Sequence, residues 1–190
     1  MDLSEYQKTA RSTAIYLQRE DNTMLYPLMG LIGECGEVAE KAKKLIRDSD
    51  WEMDSKRKAA IAKELGDVMW YCANVCCDTN NDLQLSYQMR GHSIIQQICA
   101  LPLFRLILHM NRHALEIATS LESWYYRDSR RISEGYKYRE IPLHLSHVVA
   151  CVEEIARYCD CTLEQIYTAN IENLLGRKQR GTLHGDGDDR

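Results

Sequence analysis

Apolar residues in this chain recur at intervals of three and four, and no segment alternates apolar with polar, so the sequence can build helices but not sheets. Tyr6, Ala10, Ala14 and Leu17 set one such stripe, and a helix over 4–19 with Ser4 as its cap follows. Leu28, Leu31, Ile32, Val38 and Leu45 set the next, over 26–47, opening near Pro27. Three glycines (Gly30, Gly33, Gly36) lie in its first half. Each costs roughly 1 kcal/mol against Ala in a helix, so close helix packing or room for a ligand should account for them. Asp48, Ser49 and Asp50 break the pattern. Asp54 or Ser55 then caps a third helix, about 56–78, with Ile61, Leu65, Val68, Met69, Cys72 and Val75 on its buried side.

Further along, residues 79–82 read as a turn followed by a short helix. Residues 93–125 read as one long helix kinked at Pro102, and 126–139 as a polar connection. Two more helices follow over 143–158 and 162–177, the last opened by a Thr162–Gln165 capping box. The expected fold class is all-α. With 190 residues, 45% apolar and 27% charged, the chain can bury a core as one ordinary domain or two small helical units. The net charge of -4 argues against a protein that coats nucleic acid, although Arg177, Lys178 and Arg180 gather near the C-terminus. No signal peptide or membrane-length apolar run is visible, which leads to the expectation of a reducing cytoplasm. The eight Cys are then free thiols packed as small hydrophobes, because their spacings do not suit zinc.

The chain also carries an internal echo. Residues 26–40 resemble 101–115 at a shift of 75, and 63–84 resemble 143–165 at a shift of 80. Either a helix pair is duplicated in degenerate form, or two amphipathic pairs merely look alike.

The chemistry concentrates in two carboxylate pairs. Glu34 and Glu37 lie three apart on the second helix, and Glu64 and Asp67 three apart on the third, so each pair shares one helix face. Any one pair is ordinarily a solvated feature. These two, however, lie on consecutive helices and inside apolar, glycine-containing stretches (28–39 and 61–73). Carboxylates gathered there repel one another and lose hydration, and a divalent cation with hard oxygen ligands relieves both costs. Mg²⁺ is the expected ion, with Mn²⁺ as substitute.

The segments LIGECGEVAEKAKKL (31–45) and KELGDVMWYCANV (63–75) resemble the MazG-like nucleotide pyrophosphohydrolases of the all-α NTP pyrophosphatase superfamily, whose signature is E-x-x-E on one helix and E-x-x-D on the next. The end of the chain, 169–190, resembles the tail of small members. The resemblance covers 1–83, a catalytic helical unit, and 163–190, a C-terminal helix with a basic tail. It leaves 84–162 as an insertion or a degenerate second unit packed on the first, all within one compact domain. It implies a helical bundle in which Glu34, Glu37, Glu64 and Asp67 hold Mg²⁺ on the phosphates of a (d)NTP, which is hydrolysed to (d)NMP and pyrophosphate. Fuller family motifs read E-E-x-x-E; here the first position is Gly33, which leaves Glu34 to orient or deprotonate the water. The resemblance also implies a homodimer or homotetramer, with no nucleic-acid or membrane partner.

No Walker-type loop is present, so basic side chains must grip the phosphates. Lys41, Lys44, Lys63, Arg177, Lys178 and Arg180 are the candidates, against a plain solvated-face reading for the lysines. Trp70 could stack on a base and Asn74 read its edge, against core packing for Trp70. His109/His113 (i, i+4) and His144/His147 (i, i+3) fall near the acidic positions in the echo. Ordinary helix histidines are the plainer reading and a zinc site the geometric alternative. Two other functions compete with hydrolysis: a nucleotide-binding regulator without turnover, motivated by Gly33, and a helical interaction protein without a nucleotide site.

Overall fold

The structure is a computed structural model describing residues 1–16, 24–126 and 140–183. Among them are eight helices and no strand: α1 (Leu3–Ser12), α2 (Leu25–Ser49), α3 (Ser55–Asp78), α4 (Leu83–Gln88), α5 (Gly91–Ile98), α6 (Leu103–Tyr126), α7 (Ile141–Tyr158) and α8 (Leu163–Gln179). The all-α expectation is met. The 127–139 part of the polar connection and the tail beyond Leu183 lie outside the described residues.

Local chemistry sets the ends of these helices. Asp2, not Ser4, caps α1, its Oδ1 accepting from the Glu5 N–H at 2.8 Å. α1 also stops at Ser12, short of the expected 19, of which 17–19 lie outside the described residues. The Thr13 hydroxyl donates to the Ala10 carbonyl (2.8 Å) and accepts from Trp70 Nε1 (2.9 Å), which turns the chain toward α3. α2 carries Leu28, Leu31, Cys35, Val38, Ala42 and Leu45 as a continuous buried stripe. It ends where Asp50 and Trp51 take left-handed backbone (φ 48° and 69°) and the Trp51 N–H donates to the Leu45 carbonyl (3.2 Å). Asp54 then caps α3 through the Arg57 N–H (2.8 Å), and α3 folds back along α2.

The expected single helix over 93–125 is two helices. α5 ends at Ile98, and Pro102 opens α6, its carbonyl accepting from the Arg105 and Leu106 N–H groups (2.9 and 3.1 Å). Proline lacks the N–H that a helix interior needs, so it starts a helix here and does not kink one. The Thr162–Gln165 capping box opens α8 as expected.

The long helices associate in pairs. α2 packs along α3, α6 along α7, α2 also meets α6, and α3 meets α7. α1 and α8 close over α3, whose buried face includes two polar side chains, Glu64 and Asn74. The buried apolar residues form one core cluster that draws on all eight helices.

Candidate active site

Three of the four expected carboxylates converge. Glu34 projects from α2, and Glu64 and Asp67 from α3; one oxygen of each lies within 4.8 Å of the others. Glu64 is 2% exposed and Glu34 half-buried. Glu37 is exposed and outside this triad, yet it lines the same cavity and its charge acts on Glu34. The cavity holds about 750 Å³ between α2, α3, α8 and the segment after α1.

The electrostatics are those of acids placed together without enough positive charge. Burial, then the neighbouring Asp67, Glu64 and Glu37, raises the Glu34 carboxyl to about 7. Burial and Glu64 raise Asp67 to about 6, opposed by Lys63, by a hydrogen bond from Asn170 and by Arg177. Lys41 Nζ stands 3.2 Å from Glu64 Oε1, and Lys63 Nζ 3.9 Å from it. Buried, mutually repelling hard oxygen donors are a fit set for a divalent cation such as Mg²⁺.

α8 supplies a residue that the sequence motifs do not include. Asn170 Nδ2 donates to Asp67 Oδ1 (2.8 Å), and Asn170 Oδ1 accepts from the buried Tyr6 hydroxyl (3.3 Å). Gly66 permits this contact, since a Cβ there would lie 2.9 Å from Asn170 Cβ. The available signal was a lone Asn on the buried face of α8, beside Ile166, Tyr167 and Ile171. Gly30 has a similar reason: a Cβ would overlap the Tyr71 ring, 2.0 Å from Cε1. Gly33 and Gly36 face open space, so close packing does not account for them.

The family model for the MazG nucleotide pyrophosphohydrolase domain matches residues 22–98, the span containing α2, α3 and all four acids. "Gene 37 protein" of Mycobacterium phage L5 is 42% identical over 79 residues, which cover 40% of this chain and 69% of that protein. This chain belongs to the MazG family. No solved structure matches it. The MazG match ends at residue 98, so α8 with Asn170 and Arg177 lies beyond it.

The other expected residues of this MazG chain separate into those that line the cavity and those that do not. Lys63, Trp70 and Arg177 line it. Trp70 also packs edge-on against Tyr71 (centroids 4.8 Å). Lys44 does not line it; it pairs with Glu40 (3.5 Å) and lines a second cavity with Asp48 and Asp54. Lys178 donates to the Ser12 carbonyl (2.6 Å), and Arg180 caps α8; neither lines the cavity. Asn74 is fully buried behind Trp70, donating to the Trp70 carbonyl (2.9 Å) and accepting from Arg11 (3.4 Å), so its amide is already engaged. Tyr26 and Tyr71 line the cavity as further aromatics, and Tyr16 stacks on Tyr26 (4.5 Å).

Proposed function

We propose that this chain hydrolyses nucleoside triphosphates, (d)NTP plus water giving (d)NMP and pyrophosphate, in a Mg²⁺-dependent reaction that controls a nucleotide pool. The observation that carries the reading is the convergence of Glu34, Glu64 and Asp67 in a cavity also lined by Lys63, Arg177 and aromatic side chains. Glu34, Glu64 and Asp67, with Glu37 at the cavity wall, are the residues that would hold Mg²⁺, or Mn²⁺ as substitute. Held by these residues, such an ion would supply positive charge to the phosphates and a more acidic water.

The side chains perform the remaining steps. Glu34, gathered with Glu64 and Asp67 at the cavity, is placed to take a proton from the attacking water. Water oxygen bonds to the α-phosphorus as the bond to the bridging α–β oxygen breaks, and pyrophosphate leaves with the electron pair. Lys63 and Arg177 offer fixed positive charge to the non-bridging oxygens as negative charge shifts outward. Asn170 holds Asp67 in orientation. Trp70, with Tyr26 and Tyr71, offers aromatic surface to a base.

The test is a pyrophosphate-release assay over the eight common (d)NTPs with Mg²⁺. Release with at least one, lost on addition of a chelator, is the expected result; no release with any of them sinks the reading. We also propose a cytoplasmic homodimer or homotetramer without nucleic-acid or membrane partners. Among the described residues no helix is long and apolar enough to cross a membrane. Met29 (70% exposed) and Leu108 (64%) are side chains that a second copy would cover.

A further inference from the structure

The second helix pair repeats the burial register of the first. At the shift of 75, buried Leu28, Leu31 and Cys35 of α2 correspond to buried Leu103, Leu106 and Met110 of α6. At the shift of 80, buried Leu65, Val68 and Cys72 of α3 correspond to buried Leu145, Val148 and Val152 of α7. The same register carries Glu34 to His109, Glu64 to His144 and Asp67 to His147. His113 adds a fourth imidazole one turn along α6, only 6% exposed.

These rings meet across the α6–α7 seam. One nitrogen each of His109, His113 and His147 lies within 4.8 Å of the others. His109 Nε2 is 3.1 Å from His147 Nδ1, and His113 Nδ1 is 3.0 Å from His144 Nδ1. The His113 and His147 rings stack, with centroids 3.9 Å apart and planes 3° from parallel. Each nitrogen–nitrogen contact requires at least one neutral ring, because two imidazolium ions cannot share one hydrogen bond.

We propose that His109, His113 and His147 form a Zn²⁺ site joining α6 to α7, with His144 orienting the His113 ring. Where the first pair offers hard carboxylate oxygens, the second offers borderline imidazole nitrogens, which changes the preferred ion from Mg²⁺ to Zn²⁺. Tetrahedral coordination at roughly 2.0–2.1 Å places ligand nitrogens about 3.4 Å apart, close to the 3.1 Å between His109 Nε2 and His147 Nδ1, and one of the stacked His113 and His147 rings must turn for their lone pairs to meet at one ion. Three protein ligands leave the fourth position to water. The site is independent of the proposed hydrolysis.

Arg112 opposes the ion. It can only donate, and its Nη2 stands 3.1 Å from His113 Nε2, so it covers a lone pair that a metal would use. Its side chain is exposed and can leave. Removing it should therefore strengthen metal binding, which a cluster packed only for stability would not show.

The full chain, stripped of metal with a chelator, is titrated with Co²⁺ and then Zn²⁺. The expected result is a visible tetrahedral Co²⁺ spectrum without thiolate charge transfer, bleached by one equivalent of Zn²⁺. At about a 100-fold excess over Kd, Zn²⁺ should raise Tm by roughly 5–10 °C. The spectrum should persist in Glu64→Gln and disappear in the double variant His113→Gln, His147→Gln. Should that double variant fail to fold, His109→Asn, altered at a part-exposed ligand, should weaken Co²⁺ at least ~10-fold, and Arg112→Met should tighten it. The proposal is overturned by absence of the spectrum, by its survival in folded histidine variants, or by its loss in Glu64→Gln.

Discussion

Glu34 is where the chemistry and stability of this protein meet. Its folded carboxyl is raised to about 7 from an ordinary 4.5, so the folded state holds a proton that the unfolded chain would release. That contribution to stability is fully present below about 4.5 and is lost as pH rises through about 7. Removing the charge should therefore stabilise the metal-free protein at high pH only. Glu34→Gln is expected to show a higher Tm than wild type at pH 8 and an equal Tm near pH 4.5 by circular dichroism. Added Mg²⁺ should reverse the order at pH 8, and identical melting curves at both pH values would contradict the placement of Glu34. Protons and cation also compete for Glu34 and Asp67, so calorimetry should find weaker Mg²⁺ binding at pH 6 than at pH 8. For turnover, Glu64→Gln should lose at least ~100-fold in kcat with helicity retained. Lys63→Ala should raise KM more than Lys44→Ala, because Lys63 lines the cavity and Lys44 is engaged with Glu40.

At the level of elements, the approach of α8 to α3 decides the shape of the site. Gly66 and Asn170 form that contact, and Asn170 in turn holds Asp67. Gly66→Ala would set a Cβ 2.9 Å from Asn170 Cβ, against a helix on either side. The expected loss is about 1–3 kcal/mol in urea denaturation, as for overpacked interiors, together with reduced kcat. Asn170→Ala should lower activity with a smaller stability change, since it removes the hydrogen bond without forcing the helices apart. If Gly66→Ala matched wild type in both measurements, the close approach would be wrong. Much of this level was legible beforehand. The stripes of α2 and α3 follow from their apolar spacing, α7 and α8 were expected as helices, the α3 cap was narrowed to Asp54 or Ser55, and the α8 cap follows from Thr162. The early end of α1 was not, because it depends on Thr13 meeting Trp70, 57 positions away.

For the whole molecule, two helix pairs share one core. Light scattering on the purified chain should return a dimer or tetramer mass, and a monomer at every concentration would remove the oligomer from the proposal. The sequence by itself determined the fold class, the MazG kinship and the identity of the acidic residues, because helical period and i, i+3 spacing are local properties of the chain. Only the tertiary structure decided which acids meet. It gathered Glu34, Glu64 and Asp67 but left Glu37 at the cavity wall, and it closed Asn74 behind Trp70. It also brought Asn170 to Asp67 and gathered the α6 and α7 imidazoles. Convergence of this kind depends on the rotation and separation of helices far apart in the chain, and those are set by packing of the shared core, which no local spacing encodes.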